Sequence, residues 1–185
     1  FEDESRLTGK GYFYKSERGL PGSVILYNPA ARERLWDENF FTQVAYEKTF
    51  SPTWKMRTLA KYNHAWNRYE DTNVKYSGGR QVDVHSQDEF YASAVVRWIP
   101  MEGFSLSLAQ DGFVNTLRNN IDDSPNPVRL TSLTALNADF RWRRFHVAAN
   151  LIGTYTTDEV RSGQTPKDRH HLSPSLSLSW RPWEN

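Results

Sequence analysis

The histidines are the residues of this chain best suited to acid–base chemistry or metal binding. His64 and His146 can each exchange a proton near neutral pH, but the sequence contains no GxSxG nucleophile motif and assigns neither histidine a partner. His170 and His171 are adjacent at the start of a predicted strand, where neighbouring side chains point to opposite faces and cannot chelate one ion. We therefore expect no catalytic residues, and the chain is predicted not to be an enzyme.

Two loop motifs offer other candidate sites. Asp122 and Asp123, in NNIDDSPNP, could supply oxygen ligands to calcium, but the spacing of an EF-hand is missing and a solvated loop is the favoured interpretation. Gly19 and Pro21–Gly22, in SERGLPG, are strong turn formers and are expected to shape a loop rather than bind a ligand. The chain has no cysteine, which removes disulfides and thiolate metal sites. No metal and no cofactor are expected.

Lys55, Arg57 and Lys61 form a basic row on one face of a predicted strand. If that face lines a pore, the row could favour anionic solutes. The favoured interpretation is a hydrated wall, with compensating acids on the neighbouring strands.

Composition narrows the class of protein. The 185 residues suit one domain. The net charge is +1 with both signs mixed along the chain, so no nucleic-acid partner is expected. Mean hydropathy is −0.73, and no run of residues is apolar enough for a membrane-spanning helix. Residues 1–10 (FEDESRLTGK) lack the apolar core of a signal peptide, so we expect a mature, trimmed or fragmentary chain.

Apolar and polar residues alternate through most of the chain, which is typical of strands with one apolar face. FSLSLAQ, for example, places Phe104, Leu106 and Leu108 opposite two serines, and SLSLSW repeats this pattern near the C-terminus. The alternation predicts an all-β fold, an antiparallel up-and-down meander of about eight strands at residues 8–14, 38–50, 54–68, 89–98, 104–117, 130–142, 145–157 and 171–180. Several of these strands reach the 9–11 residues that cross a bilayer when tilted.

The connections alternate between short and long. Short turns are predicted at 51–53, 99–103 and 143–144, and long polar connections at 15–37, 69–88, 119–129 and 158–170. In a meander, all short turns then lie at one end of the sheet. Bulky rings flank these turns in FSPTW, WIPMEGF and WRRF, and also occur in WRPW. Short turns, long loops and an aromatic girdle are typical of transmembrane barrels.

Four stretches extend this interpretation: YKSERGLPGSVILYNP, WDENFFTQVAYEKTFSPTWKMRTLAKYNHAWNRYED, ANLIGTYTTDEVRSG and LSPSLSLSWRPW. In these four stretches, the chain resembles the barrel region of TonB-dependent outer-membrane receptors. The resemblance implies a 22-stranded transmembrane β-barrel closed by a plug, located in the outer membrane of a Gram-negative bacterium. It also implies import of a large nutrient of the siderophore, cobalamin or glycan class, with energy supplied by an inner-membrane complex.

The sequence departs from that family in its length, in lacking a plug and TonB box, and in ending at WEN rather than on a terminal aromatic residue. We therefore expect residues 1–185 to be a single segment of the barrel domain. Its partners would be outer-membrane lipid and the remainder of the barrel and plug, with the TonB complex reached only through missing segments. The four long connections are the candidate ligand contacts, and no residue in them is assigned a ligand.

Two alternatives remain open on the sequence. A complete eight-stranded barrel could serve as a membrane anchor or adhesin, because eight strands suffice to close a small barrel. A soluble β-sandwich or barrel could instead turn the apolar face inward and bind a small apolar or sugar ligand.

Overall fold

The computed structural model describes residues 5–21, 32–72, 77–121, 126–159 and 168–182, and almost all of them lie in strands. The strands are β1 (Ser5–Gly19), β2 (Arg34–Ser51), β3 (Trp54–Asp71), β4 (Gln81–Met101), β5 (Phe104–Asn119), β6 (Val128–Trp142), β7 (Phe145–Glu159) and β8 (Arg169–Trp180). A 3-10 turn, Ser77–Gly79, precedes β4. Within these ranges, no helix is long and apolar enough to cross a bilayer.

The eight strands form one open antiparallel sheet in the order of the chain. Each strand pairs with the next along its length, as the predicted meander requires. Closure into an eight-stranded barrel would need a ladder between β8 and β1, and the described strands do not form one. The two outer strands therefore each leave one edge without a partner strand in this part of the chain.

The strand registers bring all the apolar stripes to the same side of the sheet. Directly opposed residues share a face, and one continuous row runs Tyr62–Phe90–Val114–Leu130 across four strands. Leu106 and Leu178 lie on this side, which we call the apolar face, whereas Ser177 lies on the other, the polar face. The predicted alternation within single strands thus becomes a property of the whole sheet.

All eight predicted strands are confirmed, but most extend further at the long-loop end. The first was predicted at 8–14 and spans Ser5–Gly19; the fourth was predicted at 89–98 and spans Gln81–Met101. The alternation of apolar residues stops before the hydrogen-bonded ladder does. In the extra length, cross-strand ion pairs such as Lys15–Glu38 and Arg18–Asp37 take the place of apolar neighbours. The long connections are correspondingly shorter than predicted.

The sheet is a single layer. Ala45 is the one buried hydrophobic residue in the part of the chain that the structure describes. On the apolar face, Leu176 is 75% exposed and Leu178 69% exposed. A soluble sandwich would bury such residues against a second sheet, and the described strands supply none.

Two of the three short turns are tighter than predicted, and the turn at 143–144 lies where it was predicted. Strands β4 and β5 are joined through 102–103, because β4 continues past an irregularity in pairing between Trp98 and Met101. Gly103 has φ +79°, and a Cβ there would overlap the carbonyl oxygen of Arg141. Arg143, in the turn between β6 and β7, also has positive φ. Position 103 requires glycine, because its φ is positive and because a side chain there would overlap a neighbouring carbonyl oxygen.

From one short turn to the next across the sheet, the strand ends are displaced steadily along the strand direction. The β2–β3 ladder ends at Trp54, and the row through Trp54 reaches β7 at Ala149. The β6–β7 ladder continues four residues further, to Phe145. Across four strand spacings of about 4.8 Å, at about 3.3 Å per residue, this drift corresponds to a strand tilt of about 35°. Transmembrane barrels have tilts of about 35–45°.

Candidate functional site

Aromatic rings border the apolar face at its short-turn end. Three cross-strand pairs follow the stepped strand ends, with ring centroids 5.8, 6.4 and 6.2 Å apart: Trp54–Trp98, Phe104–Phe140 and Phe145–Trp180. Because the rings follow the stepped strand ends, they would lie on a line perpendicular to the axis of a barrel whose strands have this tilt. This is the position of the predicted aromatic belt.

A second aromatic group lies towards the long loops. Tyr62 contacts Phe40 and Phe90, with centroid distances of 6.2 and 4.7 Å. On β4, Phe90 of this group and Trp98 of the lower rings are eight residues apart. At about 3.3 Å per residue and a tilt of about 35°, this separation covers about 22 Å of height. The apolar band of a transmembrane barrel is about 25 Å tall, so the two groups are spaced as interfacial girdles are.

His64 has a partner that the sequence did not supply. Its Nδ1 lies 2.7 Å from the Asp88 carboxylate, to which the hydroxyl of Tyr62 also donates a hydrogen bond of 2.7 Å. The sequence assigned His64 no partner, because only the β3–β4 register sets it directly opposite Asp88. This cluster lies on the apolar face, just beyond its upper aromatic group.

His146 is paired as well, on the polar face. Its Nε2 contacts the carboxylate of Asp139, which Arg141 also contacts at 3.2 Å. The sequence assigned no partner to this histidine either. The hydrogen bonds of the described residues attach neither His64 nor His146 to a serine or threonine hydroxyl. Each pair is a histidine held by a carboxylate.

The remaining candidate ligands do not converge. His170 lies opposite Tyr155 and stacks on it at 5.1 Å, whereas His171 lies opposite Thr154 on the other face, as predicted. No group of three potential ligands occurs among the described residues. Asp122 and Asp123 lie outside the described residues, as does Gly22. Gly19 is the last residue of β1.

The predicted basic row lies on the polar face, and acids compensate two of its members. Lys61 Nζ lies 2.6 Å from Glu89, and Arg57 Nε lies 3.2 Å from Glu47, both on neighbouring strands. The third member, Lys55, is directly opposite Arg97. The sequence interpretation did not identify Arg97, because only the register shows that the two cations meet.

Ion pairs also stabilise the ladder near the long loops. Arg129 Nε donates a 2.5 Å hydrogen bond to Asp158, beyond the last apolar row of β6 and β7. This hydrogen bond and the adjacent charge lower the pKa of Asp158. Arg68 and Arg80 contact Glu70 at 2.7 and 2.9 Å. These contacts support strands that extend past the apolar band.

No family model matches the chain, and no curated protein matches it either. Among solved structures, it is similar to the crystal structure of the siderophore receptor PiuA from Acinetobacter baumannii, with a TM-score of 0.55 and 10% sequence identity. The match covers 98% of this chain and 38% of that receptor, so the chain spans well under half of its length. At this identity the likeness concerns the fold: an open antiparallel sheet that matches part of a receptor barrel.

Proposed function

We propose that this chain is a section of the wall of a TonB-dependent outer-membrane receptor, with its apolar face in contact with lipid and its polar face lining the interior. The observation that carries the proposal is the exposed apolar face, bordered at both ends by aromatic rings. The strand tilt, the height of the apolar band and the likeness to a siderophore receptor support it.

The unpaired edges of β1 and β8 support membership of a larger barrel. In hydrocarbon, each unpaired backbone N–H or C=O costs several kcal/mol, so a sheet in lipid must close on itself. Further strands of the same protein would pair with both edges, and the 22-stranded barrel of this family provides them. The sheet then contributes eight strands to the wall.

In this role the segment is a scaffold and performs no catalytic step. It holds the long connections at the outer rim, where a large nutrient would first contact the protein. The siderophore class is the leading candidate for that nutrient, because the similar solved structure is named as a siderophore receptor. Energy coupling would reach the segment through a plug and a TonB box in other parts of such a receptor.

Cysteine labelling tests the assignment of the faces. The chain has no native cysteine in its 185 residues, so cysteines introduced there are the only thiols this segment adds. In the full-length protein in vesicles, we expect Leu106→Cys and Leu178→Cys to react with a lipid-soluble maleimide. Their neighbours Ser107→Cys and Ser177→Cys should react with a membrane-impermeant maleimide once the barrel interior is open to water.

The matched neighbours make the result unambiguous, because each pair differs by one position along a strand and samples the same depth. The reverse pattern, with serine positions labelled from lipid, would overturn the proposed orientation. Full-length protein that stays in solution without detergent, with the leucine positions unreactive towards either reagent, would instead favour a soluble binding module.

A further inference from the structure

A small group of polar side chains interrupts the apolar face on β5 and β6. Gln110 and Thr134 are directly opposed and exposed, and Ser132 lies two residues from Thr134 on the same face. Gln110 Nε2 donates hydrogen bonds of 2.9 Å to Ser132 Oγ and of 3.0 Å to the carbonyl oxygen of Asp111. The Thr134 hydroxyl donates to Gln110 Oε1. We call Gln110, Ser132 and Thr134 the polar cluster.

The polar cluster lies inside the band between the two aromatic groups. Gln110 is six residues from Phe104 on β5, and Thr134 is six residues from Phe140 on β6. At about 3.3 Å per residue and a tilt of about 35°, both lie about 16 Å from these lower rings, within the band of about 22 Å. On the apolar face of the described strands, Gln110 is the one side-chain amide in this band. Polar side chains at such depth are costly unless they have a partner.

The hydrogen bonds inside the cluster leave one donor and one acceptor unused. Both amide protons of Gln110 are donated, but its Oε1, which accepts from Thr134, has a second lone pair. The Ser132 hydroxyl accepts from Gln110, and the described residues supply no acceptor for its own proton. Acyl chains contain neither a donor nor an acceptor, so lipid cannot satisfy these two groups.

Small residues stand on both sides of the cluster in the same row. Ala94 lies opposite Gln110 on β4, and Gly153 lies opposite Thr134 on β7. Small residues let another backbone approach closely, and association within membranes is favoured by small residues together with side chains that hydrogen bond across the contact. The surface around the cluster combines both features.

We propose that the polar cluster is the contact site for a second copy of this chain within the membrane. This inference rests on the proposed function, since it requires the apolar face to lie in lipid. In a dimer with its two-fold axis along the membrane normal, the Ser132 hydroxyl of each copy donates to Gln110 Oε1 of the other. The symmetry matches the unused donor with the unused acceptor twice and keeps the two clusters at the same depth. The cluster is therefore complementary to itself.

Cross-linking of the purified full-length protein in vesicles tests the contact. Two versions with tags of different mass are mixed, so that a linked product with both tags identifies the second copy. With a short, lipid-soluble bifunctional maleimide, we expect Ala94→Cys, beside Gln110, to be linked well above the background of the unaltered protein. Leu178→Cys, on the same face three strands away, is the control and should stay near that background. Equal linking at the two positions, or none at position 94, would overturn the dimer.

A second variant tests the role of the amide. Added to Ala94→Cys, Gln110→Leu should lower the cross-linked fraction about tenfold, the effect of losing two hydrogen bonds within a membrane. The urea midpoint for folding into vesicles should be unchanged or higher, because leucine is well suited to hydrocarbon. Unchanged linking would overturn the proposal. A lower midpoint would also overturn it, since the cluster would then serve to hold β5 and β6 together within one chain.

The dimer and the barrel wall can fail separately. If the labelling of Leu106→Cys, Leu178→Cys and their serine neighbours gives the expected pattern while Ala94→Cys is not linked, the dimer alone is refuted. The reverse labelling pattern would refute both, because the polar cluster would then lie outside the lipid.

Discussion

Replacing Leu176 by arginine should cost about 2–4 kcal/mol of folding free energy in a lipid bilayer, the range for a cation at the midplane of a transmembrane barrel. Leu176 is central in the apolar stripe of β8, four residues from Leu172 and four from Trp180. It is 75% exposed, so little protein packing is lost when the leucine is removed. The expected penalty therefore arises from transferring the charge into hydrocarbon, where the side chain cannot reach water at either interface.

Ser177→Arg is the matched control. Ser177 is the next residue on the same strand and lies on the polar face, so its arginine should remain hydrated and change stability by less than about 1 kcal/mol. The measurement is a urea titration of the full-length protein folding into phospholipid vesicles. Equal losses for the two variants would contradict the assignment of the apolar face to lipid.

Gly103→Ala should destabilise the protein by about 1–3 kcal/mol, the cost of a strained backbone conformation. The residue has φ +79°, a region that side chains with a Cβ rarely adopt, and the added methyl group would overlap the backbone carbonyl of Arg141. The neighbouring strand cannot move aside easily, because the amide of Arg141 donates a 2.6 Å hydrogen bond to the carbonyl oxygen of Gly103. Strain and steric overlap thus act together at this turn.

Gly112→Ala is the control for this change. Gly112 lies within β5, and a Cβ there meets nothing within 4 Å. Alanine should be neutral or slightly stabilising at that position, since it reduces the conformational entropy of the unfolded chain. Both variants are compared by the urea midpoint of the full-length protein. Similar midpoints would show that the turn between β4 and β5 adapts to a side chain.

The sequence predicted the strands and their faces because period-two alternation records which side of a strand each residue occupies. It did not predict the outer ends of β1 and β4. There, charged residues such as Lys15 and Arg18 continue the ladder without any alternation of polarity. Backbone hydrogen bonding does not depend on the hydropathy of the side chains. The length of a strand is therefore underestimated wherever the strand continues beyond its apolar residues.

The side-chain partners were harder to predict, because they depend on register. Asp88 follows His64 by 24 residues and the two meet only when β3 and β4 are aligned. The same alignment brings Arg97 to Lys55. A shift of two residues along either strand would keep every apolar residue on its face and yet replace both partners. Alternation therefore fixes the face of a residue, and the turn between the strands fixes its neighbour.

In the proposed receptor wall, the length of β4 would determine how far the protein stands above the membrane. Beyond Phe90, nine more residues continue to Gln81, and at the same tilt they rise about 24 Å past the upper aromatic group. The paired strands of that wall would form a collar around the mouth of the barrel, outside the lipid. A ligand arriving from outside would contact this collar before it reached the lipid.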